Sequence, residues 1–330
     1  MDKILKVRPL EYIKQRLMRK TFNSITQKSM DIFVRGKDIG SVRPQIFGVH
    51  EEGLTKFIER TANEGNSDFF LDIGANDCTM LSYFDSSLAR VGVEPAENIE
   101  WDHVDESITI VNDYFSWQAV ESTLAGRKVK AFTSCAMFYD LDDPNSFVAA
   151  IKKCLDKDGV WCIQLSYLPL MLENINFYDI CNEHLEYYSL QVLETLMNRN
   201  GLKIVDASLN NVNGGSARVF IKHIEHPDAQ SDDLVKLLKK EDELNLYEPK
   251  TYVEFYDKIK DLRDRIKNSM LSEIERGELV LGLGASTKGN VILNYCGITN
   301  KNLSYICDAN PSKVGKFTPG SHIKIISKSN

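Results

Sequence analysis

Three side chains suited to acid–base chemistry lie close together at Glu183, His184 and Tyr187, beyond an apolar run at 160–165. Imidazole titrates near neutral pH, so His184 is the candidate general base, and Glu183 is suited to orient it or to bind a substrate hydroxyl. Asn182 adds an amide donor for a developing oxyanion. Active sites tolerate the cost of desolvating such groups, but these residues alone equally fit the start of a solvated helix.

A second motif at 69–78 predicts a buried strand that ends in a tight turn at Gly74. Glycine lets the backbone approach a ligand closely, and Asn76 with Asp77 is expected to lead into a helix near Thr79. The second and third glycines of a dinucleotide fingerprint are missing. The turn therefore favours a smaller cofactor without a pyrophosphate.

Acids at the ends of the next two predicted strands extend this pattern. Glu94 follows Asp72 by 22 residues and is suited to accept the two hydroxyls of a ribose. Asp113 follows the next apolar run and is expected to accept the exocyclic amine of an adenine. Together with the glycine turn, this order and spacing predict a class I methyltransferase that uses S-adenosylmethionine.

Predicted strands and helices alternate over 46–225. This alternation predicts a Rossmann-like, doubly wound α/β sheet. We expect it to form the cofactor-binding methyltransferase domain that positions these residues. The predicted strands are 69–73, 90–94, 108–111, 129–134, 160–165, 202–208 and 217–223. The last two are expected to form an antiparallel pair joined by the turn at 211–216.

Three further regions flank this domain. Residues 1–45 are basic and are expected to form a helical arm that packs on the body or on another subunit, with a membrane-surface helix as the alternative. Residues 226–276 predict a linker of two amphipathic helices. Residues 277–330 predict a second Rossmann-like α/β domain, in which Lys288 stands near a helix start suited to a phosphate and Asp308 ends a strand. The alternative for this domain is a packing role only.

Composition excludes several classes of protein. The 330 residues are 43% hydrophobic, which suffices for two packed domains, and the net charge of −7 argues against a nucleic-acid partner. No apolar run of about 18 residues and no signal peptide is recognisable, so a cytoplasmic protein is expected. The seven cysteines contain no Cys-x-x-Cys pair, so no metal site is expected.

From about Phe69 to Ile325 the chain resembles the sugar C-methyltransferases, which make branched deoxysugars from nucleotide-linked 4-keto hexoses. The resemblance rests on runs that begin at Asp72, Gly92, Asn182, Asn213, Gly282 and Asp308. It implies S-adenosylmethionine as cofactor, a nucleotide-sugar as substrate, and a C-terminal domain that holds the nucleotide.

The chain departs from the family pattern at several positions. Cys181 and Asn182 replace the usual Tyr-His, Asn213 replaces a histidine before Gly-Gly-Ser, and Asp140 stands where a histidine is usual. Because Cys181 replaces the family's tyrosine, the role of that phenol is expected to be lost or to be taken over by Tyr187 or Tyr188. Compared with the family, the sequence predicts no zinc-binding segment and a truncated C-terminal domain, so a homodimer contact or a partner is expected to cover the edge of that sheet.

The resemblance implies a mechanism in which His184 removes a proton beside the sugar carbonyl. Asn182, Asn213 and the backbone at Gly215 are the candidate donors to the enolate oxygen, and Arg218 is the candidate partner of the diphosphate. Two alternatives remain: an O-methyltransferase acting on a sugar or polyketide hydroxyl, and a non-catalytic partner that binds S-adenosylmethionine.

Overall fold

The computed structural model describes residues 69–327 except 85, 87, 100 and 103. The arm predicted at 1–45 lies outside the described residues. The described chain forms two compact units: residues 69–170 and 183–246 make the first, and residues 171–182 and 247–327 make the second. We call them the methyltransferase unit and the C-terminal unit.

The methyltransferase unit is built on a seven-stranded sheet in the order β3-β2-β1-β4-β5-β7-β6. The strands are β1 Phe69–Ile73, β2 Ala89–Val93, β3 Ile108–Val111, β4 Val129–Cys135, β5 Leu155–Ser166, β6 Leu202–Asn210 and β7 Ser216–His223. The first five run parallel, and β7 is antiparallel to both of its neighbours. The predicted doubly wound α/β fold with a closing antiparallel pair is therefore confirmed.

Five helices begin in this unit, and two more belong to the C-terminal unit. They are α1 Trp117–Leu124, α2 Pro144–Cys154, α3 Leu168–Asn174, α4 Leu190–Arg199, α5 Asp232–Glu243, α6 Pro249–Glu275 and α7 Thr287–Cys296. The main core packs the central strands against α1, α2 and α4, where Leu124, Ile151 and Leu193 are fully buried. Central parallel strands are covered on both faces, which explains why their sequences are continuous apolar runs.

The helix predicted near Thr79 is not formed, and that prediction was wrong. Between Gly74 and β2, the described residues contain only a single 3-10 turn at Leu81–Tyr83. Asn76 and Cys78 adopt left-handed backbone angles, with φ of 49° and 57°. Residues in that conformation cannot be part of a right-handed helix, so the chain that leaves Gly74 forms an irregular loop.

The C-terminal unit contains a parallel sheet of three strands in the order β10-β9-β8. These are β8 Gly282–Leu283, β9 Tyr305–Asp308 and β10 Lys324–Ser327. The predicted strand, glycine turn and helix are present as β8, Gly284 and α7. Leu293, Ile306 and Ile323 form the centre of the small core.

The two helices predicted between 226 and 276 are present as α5 and α6. Leu234 of α5 is fully buried in the core of the methyltransferase unit, so α5 is part of that unit and not a solvated linker. The longer helix, α6, belongs to the C-terminal unit. None of the described helices is both long and apolar enough to cross a lipid bilayer.

A buried carboxylate fixes the start of α4, directly after the predicted catalytic motif. Glu241 of α5 is 1% exposed. It accepts hydrogen bonds from the Tyr167 hydroxyl at 2.6 Å, from the Leu190 N–H at 2.6 Å and from the Gln191 N–H at 3.0 Å. A negative charge at a helix N-terminus satisfies free N–H groups and is favoured by the helix dipole.

We predict that Glu241→Ala lowers the free energy of unfolding by about 3 kcal/mol, because three buried donors lose their acceptor. Urea denaturation followed by circular dichroism measures the change. The exposed neighbour Glu243 provides the control, since Glu243→Ala should change stability by less than about 0.5 kcal/mol. Equal effects of the two substitutions would contradict the role of Glu241.

Candidate active site

The turn after β1 requires glycine and joins the ends of two strands. Gly74 has φ of +74°, and its N–H donates to the Val93 carbonyl at 2.9 Å. The Ala75 N–H donates to the same carbonyl at 3.2 Å. A Cβ atom at position 74 would lie 3.2 Å from Cγ of Met137. The turn therefore keeps the backbone free of side chains at the carboxyl ends of β1 and β2.

Glu94 connects the loops that follow these two strands. Its carboxylate, 8% exposed, accepts the Asn76 N–H at 2.8 Å and the Ala96 N–H at 2.9 Å, one with each oxygen. The carbonyl of Asn76 in turn accepts the Trp101 ring N–H at 3.3 Å. Each carboxylate oxygen keeps a further lone pair, so the group is oriented to accept additional donors.

Asp72 and Asp77, two predicted cofactor residues, lie on either side of the glycine turn. Asp72 is 3% exposed and accepts the Thr133 hydroxyl at 2.6 Å, which ties β1 to β4. Asp77 accepts the Thr79 N–H at 3.1 Å within the loop. Asp72 thus supports the sheet beneath the turn, and Asp77 shapes the loop above it.

Asp113 is exposed beyond the end of β3 and accepts the Tyr114 N–H at 2.7 Å. Its neighbour Asn112 donates its side-chain amide to the Glu94 carbonyl at 2.7 Å. The predicted cofactor residues therefore follow β1, β2 and β3, at the edge where parallel strands gather their carboxyl ends. Sequence analysis missed Asn112, although an amide next to a predicted site acid was a usable signal.

The predicted base is held against the loop that follows β4. The His184 and Tyr139 rings lie 4.3 Å apart at an angle of 49°. The N–H groups of Leu185 and Glu186 donate to the Tyr139 carbonyl at 2.9 and 3.1 Å. The half-buried imidazole of His184 is thus held in two ways: by the hydrogen bonds of the backbone that follows it and by the contact with the Tyr139 ring. Tyr139 was not identified from the sequence, because this contact joins residues 45 positions apart.

Several carboxylates lie close to one another around this loop. Burial, then the negative charges of Glu183 and Glu186, raise the pKa of Asp140 to about 6. Burial, then the charge of Asp142, raises the pKa of Glu186 as well. Asp140 is exposed as a whole residue, so solvent screens part of these effects. Asp140 is nevertheless a group that changes charge near neutral pH beside the Glu183–His184 pair.

Asn182 belongs to the C-terminal unit, where it is exposed and follows a turn that ends at Cys181. Glu183 is also exposed, and the second segment of the methyltransferase unit, 183–246, begins at this residue. Farther along, Tyr187 is half-buried and Tyr188 is buried against Phe138, with ring centres 5.3 Å apart.

The glycine turn at 211–216 is a 3-10 turn over Val212–Gly214 in which Asn213 adopts a left-handed φ of 54°. Asn213 is exposed. The Gly215 N–H donates to the Val212 carbonyl at 3.0 Å, and the Gly215 carbonyl accepts the Tyr167 N–H at 3.2 Å. The Gly215 N–H is therefore engaged within the turn, and its predicted role as a donor to an oxyanion stays a prediction.

Arg218 lies in β7 opposite Gln164 of β5, and its guanidinium donates to the Gln164 side chain at 3.0 Å. Asn210 of β6 donates to the same oxygen at 3.2 Å. These contacts place Arg218 within a polar patch on the sheet. Its Nε is buried and has no hydrogen-bond partner among the described residues.

Lys288 and Asp308 lie in the C-terminal unit. Lys288 forms an ion pair with Asp179. Asp308 accepts the Ala285 N–H at 2.7 Å, and the Gly284 N–H donates to the Cys307 carbonyl at 2.7 Å. This arrangement repeats that of Gly74, Asn76 and Glu94. In each unit, an acid at the end of one strand accepts a backbone N–H from the glycine turn that follows the neighbouring strand.

The strand order, the glycine turn and the acid that holds it define a class I methyltransferase fold. Residues 49–207 match the family model of a methyltransferase domain, and residues 211–330 match that of a C-methyltransferase C-terminal domain. The two matched regions follow one another along the chain, and both models describe domains of methyltransferases.

The chain is 28% identical over 262 residues to the C-methyltransferase NovU of Streptomyces niveus. The matched region is 79% of this chain and 62% of NovU, so the chain spans about three fifths of that curated relative.

Solved structures resemble the chain only remotely. The plantazolicin methyltransferase BpumL, in complex with a desmethyl analogue and SAH, has a TM-score of 0.42 and 12% identity, and the match covers 64% of this chain and 98% of BpumL. Magnesium protoporphyrin IX methyltransferase ChlM from Synechocystis PCC 6803, with bound SAM, has a TM-score of 0.39 and 12% identity, with 63% and 96% covered.

We predict that Asp140 titrates near pH 6 and that Glu183→Gln lowers its pKa, because one of the negative charges that disfavour ionisation is removed. NMR titration of carboxyl carbons, with Asp140→Asn to assign the signal, measures this. Glu121→Gln, an exposed substitution on α1, is the control and should leave the pKa of Asp140 unchanged. A pKa of Asp140 near 4 in the wild-type protein would contradict the prediction.

Proposed function

We propose that this protein transfers a methyl group from S-adenosylmethionine to a carbon atom of a nucleotide-linked 4-keto deoxysugar. The observation that carries the proposal is the Glu94 carboxylate, which is held between the loops after β1 and β2 with acceptor capacity to spare. A carboxylate at this place after the second strand fits the two hydroxyls of a ribose.

The residues at this edge fit the adenosyl cofactor. Gly74 leaves room for close approach, Glu94 accepts the ribose hydroxyls and Asp113 accepts the adenine amine. Asn76 and Asp77 form the loop that faces the cofactor, with Asp72 supporting it from beneath. When bound, the sulfonium of the cofactor supplies an activated electrophilic methyl group.

The protein's own residues supply the nucleophile. His184 takes the proton from the carbon beside the sugar carbonyl, and the electrons of that C–H bond pass to the carbonyl oxygen as an enolate. Asn182 and Asn213 donate hydrogen bonds to this oxygen. Glu183 orients the imidazole and Tyr187 contacts the sugar. With the cofactor bound, the enolate carbon would bond to the methyl group as the S–CH3 bond breaks, and S-adenosylhomocysteine would leave.

Two observations support the nucleotide-linked sugar as substrate. The glycine turn of the C-terminal unit, held by Asp308, has the geometry that fits a nucleotide. Within the part of the chain that the structure describes, Arg218 keeps a buried donor without a partner, which suits an anionic diphosphate.

Methylation at carbon is favoured over methylation at oxygen because the C-terminal domain model and the curated relative are both those of C-methyltransferases. Locating the transferred methyl group by NMR distinguishes the two. Cofactor binding without release of S-adenosylhomocysteine would instead indicate a non-catalytic binding protein.

We predict that Glu94→Ala weakens binding of S-adenosylmethionine about 100-fold, or about 2.7 kcal/mol, because the ribose acceptor is lost and two loop N–H groups lose their partner. Isothermal titration calorimetry measures this. The exposed Glu97 provides the control, since Glu97→Ala should retain wild-type affinity. Unchanged affinity in Glu94→Ala would remove Glu94 from the cofactor site.

We predict that His184→Asn lowers kcat about 1,000-fold while the affinity for S-adenosylmethionine stays the same, because asparagine cannot accept the proton. Steady-state assay of S-adenosylhomocysteine release, together with calorimetry, measures both quantities. The control is His322→Asn at an exposed position with left-handed φ, which asparagine tolerates. Wild-type turnover in His184→Asn would exclude this imidazole as the base.

A further inference from the structure

The segment that leads into the predicted catalytic motif belongs to the C-terminal unit, although strands of the methyltransferase unit precede and follow it. It ends in a compact turn in which the Asp179 N–H donates to the Asn176 carbonyl at 3.0 Å. The Cys181 N–H then donates to the Asp179 carbonyl at 3.1 Å. Asn182 follows immediately, so the direction in which the chain enters the motif is set by this turn.

The turn is anchored by a buried charge. Asp179 is 1% exposed and forms an ion pair with Lys288 of α7, whose side chain is 30% exposed. The ammonium group also lies 5.9 Å from the centre of the Tyr178 ring. Removing an ion-pair partner from a buried carboxylate is strongly destabilising, so Lys288 helps to hold Asp179 in its place.

A second contact comes from the same face of α7. Tyr295 lies seven residues after Lys288, which returns to the same side of the helix. Its ring centre is 5.2 Å from that of Phe177 in the turn. The Tyr178 hydroxyl donates to the buried Asn176 side chain at 2.9 Å. One helix face thus fixes the turn by an ion pair and by a ring contact.

We propose that Lys288 is a positioning residue for Asn182, acting through its ion pair with Asp179. The inference rests on the proposed function, since it assigns Lys288 to the placement of Asn182 in methyl transfer. Asn182 is three residues from Asp179, so its position depends directly on the anchored turn. A small displacement of reacting groups costs a large factor in rate.

This role differs from the direct phosphate contact predicted for Lys288. A lysine that only binds a substrate phosphate contributes to substrate affinity, so its loss raises KM. A lysine that positions the motif contributes to the chemical step, so its loss lowers kcat, and removal of Asp179 reproduces the effect. The two roles therefore predict different kinetic signatures.

The experiment compares Lys288→Met, Asp179→Asn, the double variant and Lys288→Arg, with exposed Lys301→Met as control. The double variant contains neither charge of the pair. We therefore expect it to fold even where a single variant, which keeps one charge of the pair without the other, does not. Steady-state rates are measured with S-adenosylmethionine and a nucleotide-linked 4-keto deoxyhexose. Calorimetry gives the affinity for S-adenosylmethionine, and hydrogen–deuterium exchange reports on the Cys181 amide.

We expect kcat to fall about 100-fold in Lys288→Met and in Asp179→Asn, with no further fall in the double variant. Exchange at Cys181 should accelerate, the affinity for S-adenosylmethionine should stay at the wild-type value, and Lys288→Arg should recover most of kcat. A raised KM with wild-type kcat in Lys288→Met, or an unaffected Asp179→Asn, would overturn the inference. If the wild-type protein transfers no methyl group, the proposed function fails, and the exchange of Cys181 still decides whether Lys288 fixes the turn.

Discussion

The carboxylate of Glu94 organises the edge of the sheet on which the candidate site is built. It joins the loops after β1 and β2 by accepting one N–H from each, at 2.8 and 2.9 Å. A buried carboxylate without donors is costly, so these hydrogen bonds make the loop geometry and the acid mutually dependent. Glycine is favoured at position 74 because a φ of +74° is strained for other residues and a Cβ atom would lie only 3.2 Å from Cγ of Met137. The candidate cofactor site is thus built on one acid and one glycine that act together.

The same physical solution is used twice in the chain. Asp308 holds the turn at Gly284 through the Ala285 N–H, as Glu94 holds the turn at Gly74. For Asp308, burial acts to raise the pKa, but the N–H groups of Asn310 and Ala285 outweigh it and hold the pKa below its usual value. An ionised acid that accepts hydrogen bonds at the junction of a strand, a turn and a helix stabilises the local structure, whether or not it also binds a ligand. Its recurrence in a three-stranded sheet shows that the geometry does not need a large domain around it.

The sequence was sufficient to predict the seven strands because central parallel strands are buried on both faces and read as apolar runs. It was misleading after Gly74, where left-handed residues at Asn76 and Cys78 prevent the expected helix. Conformations of that kind are favoured by the surrounding packing, which local patterns do not encode. The contacts of Tyr139 with His184 and of Lys288 with Asp179 were also beyond prediction, because they join residues far apart in the sequence.

Residues 182–184 are fixed by interactions outside the motif itself. Upstream, the turn that ends at Cys181 is anchored on α7 through Asp179. Downstream, the Tyr139 carbonyl accepts two N–H groups, and Glu241 holds the start of α4. Each unit thus restrains its own part of this segment: the turn before Asn182 in the C-terminal unit, and the residues after His184 in the methyltransferase unit. Contacts between residues far apart in the sequence set the local backbone on each side, and the pattern of the motif alone does not encode them.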